Sequence, residues 1–307
     1  MGTGVTTPTP FNNTNDPNEL RKRWLNRFFK VQSKYDAQLR KILIGAAEDA
    51  QERVSALSTK TTFSSGVQNA QLRLVMQEVR EVVHNLFGEV IPIVKDGQKS
   101  AAVAAVSAFT ETDKEYLRQA LSQYGGNVDD FIEAQKKQSQ IQIVNVISRI
   151  TKSDIPLSRR VYRSERLATG WVQHKVNLAI VRGASAREIA KDVRSSINPN
   201  VPGGVSYAAM RLGRTELNNA FHATSISLAQ DRPWVDGMKW NLSKTHDFQT
   251  NKCLCETYSN RIFDIDRVPV KPHPQCRCFV TPEVEPLDTF VRHLNSGRYR
   301  DWIENAA

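Results

Sequence analysis

The chain has 307 residues, of which 40 % are hydrophobic and 24 % charged, and its formal net charge is +10. This composition is typical of a globular protein with enough length for two domains. No stretch is apolar for long enough to cross a bilayer, and residues 1–16 have neither the basic start nor the apolar run of a signal peptide. We therefore expect a protein that is made and kept in a reducing cytosol, with residues 1–16 as a disordered polar arm.

Residues 17–153 are predicted to form a helical docking domain. Residues 16–19 combine a capping Asp, a first-turn Pro and a capping-box Glu, which together mark a helix start. Apolar residues then recur every three or four positions from Leu20 to Ala46, which predicts a long amphipathic helix. We expect separate helices after residue 66, from about residue 101 to residue 124 and from residue 127, and no strand before residue 200. Long amphipathic helices without catalytic residues between them indicate a packing or assembly module.

Residues 154–283 are predicted to form a second domain of mixed structure. A basic helix is expected up to Gly183, a capping box from Ser185 to Glu188 opens a short helix, and a further helix is expected from Tyr207 to about residue 229. Residues 238–242 and 261–265 alternate as strands do, which predicts a small sheet. Residues 284–307 are expected to close the chain as one amphipathic helix. The predicted fold class is mainly α with an α+β C-terminal domain.

All four cysteines lie in two tight pairs near the C-terminus. Cys253 and Cys255 form the first pair, Cys276 and Cys278 form the second, and His273 precedes the second pair. A hairpin or knuckle can bring the pairs together, and thiolates with an imidazole are ligands that zinc prefers, so these five residues are the predicted metal site. The single residue between paired cysteines is shorter than the spacing of about two to four found in structural zinc sites. Reduced core thiols and disulfides across the hairpin therefore stay open as alternatives.

Two segments carry most of the excess positive charge. Residues 151–200 hold ten Lys or Arg against four acids, and residues 21–41 hold eight against one. Basic segments attract polyanions, so non-specific contact with double-stranded DNA is one interpretation, and a solvated helix face is the other. The candidate DNA-contacting residues are Arg159, Arg160, Arg163 and Arg166.

Roughly residues 170–282 contain Arg214-Thr215-Glu216, Trp240, Asp247, the first cysteine pair and Pro272-His273-Pro274-Gln275-Cys276-Arg277-Cys278. Through these residues the chain resembles the phage Mu F-like minor head proteins, also called head morphogenesis proteins. In that family an Arg-Thr-Glu helix precedes a strand ending in Trp, an Asp-x-Arg-x-Cys-x-x-Cys segment follows, and His-Pro-x-Cys-Arg-Cys closes the domain. This chain departs from that pattern at Cys253-Leu254-Cys255 and at Gln249, which stands where the family often has Arg. The resemblance makes Cys253 the weakest ligand and lets His273 complete the set.

The resemblance implies a structural minor capsid protein of a tailed phage. Such a protein is present in few copies inside the head and associates with the portal, with scaffold or major capsid protein as further partners and no membrane. The alternatives are a DNA-binding ejection protein or, less favoured, an ADP-ribosyltransferase-like or nuclease-like enzyme that uses Arg214 and Glu216. The sequence has no glycine-rich phosphate loop, paired acidic metal motif or nucleophile elbow, so no catalytic residue is assigned. His246 and Asp247 are adjacent and would point to opposite sides of a strand, which argues against a catalytic dyad.

Overall fold

The computed structural model describes residues 17–58, 68–124, 129–151, 157–182, 184–201, 203–243, 246 and 253–306. These residues form nine α-helices and three strands, which confirms the predicted mainly α fold with a small C-terminal sheet. The helices are α1 (Pro17–Ser58), α2 (Gln68–Tyr124), α3 (Asp129–Thr151), α4 (Leu157–Val181), α5 (Ala186–Ile197), α6 (Gly204–Gln230), α7 (Leu254–Tyr258), α8 (Leu287–Asn295) and α9 (Arg300–Ala306), and the strands are β1 (Val235–Asn241), β2 (Ile262–Phe263) and β3 (Phe279–Val284).

The second helix is longer than the sequence predicts. We expected two helices between residues 68 and 124, but α2 runs without interruption through Pro92. A proline inside a helix removes one backbone hydrogen bond and usually kinks or breaks the helix. Here Phe87, Val90 and Val94 are all buried on either side of Pro92, and this packing holds the helix together.

Helix α6 lies at the centre of the helical body and packs against α1, α2 and α4. Two glycines allow this close packing. A Cβ atom at Gly97 would lie 2.6 Å from Leu217 Cδ1, and one at Gly213 would lie 2.6 Å from Leu39 Cδ1. A larger residue at either position would force the facing leucine side chain to shift.

Buried apolar side chains form two clusters. The first joins the later half of α1 and the earlier half of α2 to α4, α5 and the start of α6. The second joins the other halves of α1 and α2 to the end of α6, the sheet, α8 and three of the cysteines. Both clusters draw on residues from either side of position 153, and the predicted division into domains at that point stays a prediction.

The predicted capping box of α5 is present. Glu188 N–H donates to Ser185 Oγ at 3.3 Å, and Ser185 N–H donates to Glu188 Oε2 at 2.7 Å. Ile189, Val193 and Ile197 are fully buried on the inner face of this helix. The predicted caps at Asp16 and Gly183 lie outside the described residues.

The sheet has the antiparallel order β2-β1-β3. The sequence predicts β1 and β2 but not β3, because Pro282 lies within β3 and proline cannot donate to a sheet ladder. An edge strand tolerates such a residue, and β3 is an edge strand.

The prediction of a single closing helix is wrong. The chain turns between α8 and α9, where Gly297 adopts a left-handed φ of 78°. This turn lets Tyr299 stack on Phe290 with ring centroids 5.4 Å apart. None of the described helices combines the length and the apolarity that a bilayer span requires.

Candidate metal centre

The two cysteine pairs meet between α7 and the loop that precedes β3. Cys255 is on α7, while Cys276 and Cys278 come just before β3, and all three are buried. The Sγ atoms of Cys255 and Cys276 are 3.4 Å apart. Four sulfurs around one zinc ion at 2.3 Å would be roughly 3.8 Å from each other. The distance between these two sulfurs is therefore close to what a shared metal ion requires.

Five side chains supply possible ligand atoms in two overlapping groups that share Cys255, and Cys276, which is in neither group, contacts Cys255. In one group, ligand atoms of His246, Cys255 and Cys278 all lie within 4.8 Å of one another; in the other, those of Cys253, Cys255 and His273 do. The structure thus brings the five predicted ligands together around Cys255 and adds a sixth candidate, His246. The cysteines and histidines here could hold a metal ion.

His246 has the geometry of a metal ligand with a supporting carboxylate. Its Nδ1 lies 3.6 Å from Cys278 Sγ, close to the separation of roughly 3.6 Å expected between nitrogen and sulfur ligands of one zinc ion. Its Nε2 lies 3.3 Å from Glu256 Oε1, and its side chain is only 5 % exposed. A carboxylate that accepts the second ring N–H is the usual way in which proteins orient a ligating histidine.

Sequence reasoning considered His246 only as half of a His-Asp pair and did not assign it as a ligand. Its nearness in sequence to Cys253 was the one available signal. His246 follows the end of β1 rather than lying in a strand, so the strand geometry assumed for that pair does not apply. Asp247 lies outside the described residues.

His273 and Cys253 are each already engaged locally. His273 Nδ1 lies 3.0 Å from the Pro274 carbonyl oxygen, and its Nε2 lies 3.8 Å from Cys255 Sγ. Cys253 occupies the N-cap of α7, where its sulfur accepts a hydrogen bond from the Cys255 N–H at 3.4 Å. His273 therefore approaches the cysteine cluster at Cys255, and Cys253 lies at the edge of the cluster.

The thiols are electrostatically coupled. Hydrogen bonds from Cys255 and Cys278 lower the pKa of Cys276, and the same bond to Cys276 raises the pKa of Cys255. Lys271 lies beside them and donates to the Cys278 carbonyl oxygen. Burial lowers the pKa of Lys271, while the nearby sulfurs act in the opposite direction. The centre therefore favours a thiolate at Cys276.

Arg214 and Thr215 attach the cysteine loop to the helical body. Thr215 Oγ1 accepts a hydrogen bond from the Gln275 N–H at 3.0 Å, and Gln275 has a left-handed φ of 60°. Arg214 forms two close contacts with Asp36 Oδ2, at 3.0 and 2.8 Å, and approaches Gln275 Oε1 at 3.5 Å. Arg214 and Glu216 have different partners. Arg214 joins α6 to α1 and to the loop.

Glu216 of α6 is buried and bonds to residues of both α4 and α2. Its side chain is 3 % exposed, Arg160 approaches it at 2.6 Å and 2.7 Å, and Gln98 Nε2 donates to it at 3.0 Å. Burial raises the pKa of Glu216, and the neighbouring Arg160 opposes that shift. Arg160 therefore has a structural partner, whereas Arg159, Arg163 and Arg166 are exposed on α4.

Trp240 is fully buried at the end of β1. Its backbone N–H donates to the Arg261 carbonyl at 2.9 Å, and its ring packs edge-on against His222 at 5.6 Å between centroids. Burial lowers the pKa of His222 to about 3, so this imidazole is neutral. Trp240 belongs to the same buried cluster as Cys255, Cys276 and Cys278.

The site is therefore a buried cysteine-histidine centre fastened to a helical body. Comparison with known proteins finds no matching family model, curated protein or solved structure. The family resemblance rests on the residues of this chain.

Proposed function

We propose that this chain is a structural minor capsid protein of a tailed phage, active in head morphogenesis and associated with the portal inside the head. The observation that supports this most is the meeting of the motif residues. Arg214 and Thr215 contact Gln275 in the His-Pro-Gln-Cys-Arg-Cys loop. Residues far apart in sequence thus form one connected set of contacts, as expected for a core that a family shares.

We also propose that the cysteine centre holds one zinc ion. The ligands are Cys255, Cys276, Cys278 and His246, because His246 is buried, suitably spaced and supported by Glu256. Three thiolates around Zn²⁺ leave a net charge of about −1, and the nearby sulfurs favour the charged form of the Lys271 amine, whereas its burial acts in the opposite direction. Zinc would supply fold stability by fixing the loop to α7.

The contacts of the motif favour a structural role over a catalytic one. Glu216 is only 3 % exposed and its carboxylate is bound by Arg160 and Gln98, so these structural partners already engage it. Asp36 likewise occupies the guanidinium of Arg214. The non-enzymatic assignment is part of the proposal and can be checked directly. Incubation with nicotinamide dinucleotide or with DNA should give the same result for wild type and Glu216→Gln.

The test of the head-protein function is capture of the portal protein encoded in the same genome. The full-length chain, purified with zinc present, is immobilised and offered that portal protein. We expect specific capture, with an unrelated phage's portal protein as the control. Failure to capture the matching portal would contradict the proposal.

The test of the metal centre is elemental analysis of the purified full-length chain. We expect about one zinc per chain, loss of zinc in His246→Ala, and retention in Cys253→Ser, which serves as the matched control. Loss of zinc in His273→Ala with retention in His246→Ala would transfer the fourth ligand to His273. A zinc-free wild-type protein would refute the centre.

A second candidate function is non-specific binding of double-stranded DNA. The observation in its favour is that Arg159, Arg163 and Arg166 are exposed, and no described carboxylate lies within ion-pair distance of them. DNA affinity should then fall steeply with salt, because each neutralised phosphate releases counterions. A flat salt dependence would exclude this function.

A further inference from the structure

A groove of about 660 Å³ is lined by residues of α4 and α6 and by Pro274 of the cysteine loop. Each helix contributes one ridge of side chains spaced four residues apart. The ridge on α4 consists of Arg159, Arg163, Leu167 and Trp171. The ridge on α6 consists of Tyr207, Arg211 and Thr215. Residues four apart lie on the same face of a helix, so each ridge presents its side chains together to the groove.

The groove is strongly cationic. Arg166 also lines it, and four of its arginines, at positions 159, 163, 166 and 211, are exposed. None of these four has a carboxylate partner within the described part of the chain. The one acid in the lining, Glu216, is already neutralised by Arg160. The groove therefore attracts an anionic ligand along its length.

The groove also carries two exposed aromatic side chains. Trp171 is 42 % exposed and Tyr207 is 48 % exposed. Trp171 lies roughly three turns after Arg160, and Tyr207 lies roughly two and a half turns before Glu216. Because Arg160 and Glu216 are paired, both aromatics lie away from that pair, in the part of the groove remote from Pro274 of the cysteine loop.

We infer that this groove binds single-stranded nucleic acid, with the arginines on phosphates and Trp171 and Tyr207 stacked on bases. Grooves that bind single strands combine cationic side chains along the backbone with aromatic rings on which unpaired bases stack. A duplex would use only the arginines, since its base faces are already stacked inside the helix. The α4 ridge from Arg159 to Trp171 is about 18 Å long, which is about five nucleotides of a stacked strand.

This inference deepens the nucleic-acid candidate function and is independent of portal binding. The assay is fluorescence anisotropy of a labelled oligothymidylate of about 20 nucleotides against a duplex of the same length, using the full-length protein. We expect tighter binding of the single strand, with a slope of log K against log salt of about −3 for four phosphate contacts. Arg163→Gln should reduce that slope by about 0.7, and Arg187→Gln, an exposed arginine outside the groove, should not.

The aromatic residues provide the sharper test. Trp171→Ala and Tyr207→Ala should each weaken single-strand binding about 5- to 100-fold and leave duplex binding unchanged. Tyr162→Ala is the matched control, because Tyr162 is 52 % exposed on the same helix but does not line the groove. Far-UV circular dichroism of each variant checks that the fold is intact.

Three outcomes would overturn the inference. In the first, the single strand and the duplex bind equally and the aromatic variants bind as wild type does. Only non-specific binding of double-stranded DNA by the arginines then remains. Absence of binding to either nucleic acid at low salt removes both nucleic-acid functions but not portal capture. The third outcome uses a polyglutamate peptide of equal charge as competitor. If the peptide displaces the labelled oligonucleotide at a lower concentration than unlabelled oligonucleotide does, the groove binds an acidic protein segment instead.

Discussion

Removing Arg160 should destabilise the protein more than removing Glu216, although the two residues form one ion pair. Glu216 is 3 % exposed, whereas Arg160 is 26 % exposed. Arg160→Met leaves a buried carboxylate with Gln98 as its remaining donor among the contacts described above, and we expect a loss of about 3–5 kcal/mol. In Glu216→Met the Arg160 side chain can turn into solvent, and only Gln98 loses its hydrogen-bond partner. We therefore expect the free energy of unfolding to fall by about 1–3 kcal/mol.

Urea unfolding of the two single variants and the double variant measures this asymmetry. The double variant should be more stable than Arg160→Met alone, because it removes the stranded carboxylate. Arg159→Met, one residue away and exposed, is the control and should change stability by less than about 0.5 kcal/mol. A double variant that is less stable than Arg160→Met would refute the reasoning.

The pH dependence of the Arg160→Met variant supplies an independent check. Burial raises the pKa of Glu216, and Arg160 opposes this, so removing Arg160 raises the pKa further. The native state then holds a proton that the unfolded state releases above its ordinary pKa of 4.5. The stability deficit relative to wild type should therefore shrink as the pH falls from about 7.5 toward about 5. A deficit that is constant or grows at low pH would contradict a stranded carboxylate.

Three further predictions concern the core and the metal centre. Cys276→Ser and Cys278→Ser should each lose zinc and lower the melting temperature of the C-terminal region, and unchanged melting in both would rule out a metal-dependent fold. Asp113→Ala should cost about 3–5 kcal/mol in urea unfolding, because it strands Arg232, which is 2 % exposed; a loss below about 1 kcal/mol would contradict this. The pKa of His222 is lowered to about 3 by burial, so stability should fall as pH drops below about 6.5, and His222→Gln should flatten that fall.

The helical body could be predicted because its signals are local. The capping box at Ser185 and the periodic apolar residues of α1 and α5 depend on neighbours three or four positions away, which the sequence shows directly. The two helices expected in place of α2 illustrate the limit. Pro92 is a local stop signal, and only the packing around Phe87 and Val94 overrides it.

The candidate site was predictable in composition but not in arrangement. Paired cysteines identify metal-binding chemistry by themselves, whereas the place of His246 depends on how the chain after β1 folds back toward Cys278 and Glu256. Strand β3 was missed for a related reason. Pro282 is unfavourable in a strand unless that strand lies at an edge, and edge position is a property of the whole sheet.

The Arg214-Thr215-Glu216 motif has a simple geometric explanation. Consecutive residues on a helix point in directions about 100° apart, so three in a row can reach three different neighbours. Arg214 reaches Asp36 on α1, Thr215 reaches the Gln275 backbone, and Glu216 reaches Arg160 and Gln98.

One turn of α6 therefore connects the cysteine loop to α1, α2 and α4. Because α6 packs against these three helices, a metal ion that fixes the loop also fixes the position of the loop relative to them. Thr215→Val would remove the acceptor for the Gln275 N–H and should cost about 1–3 kcal/mol. If the metal fastens the loop through α7 as proposed, this cost should be larger in the zinc-free protein, where no second attachment remains. Equal costs with and without zinc would show that the loop is held to α6 independently of the metal.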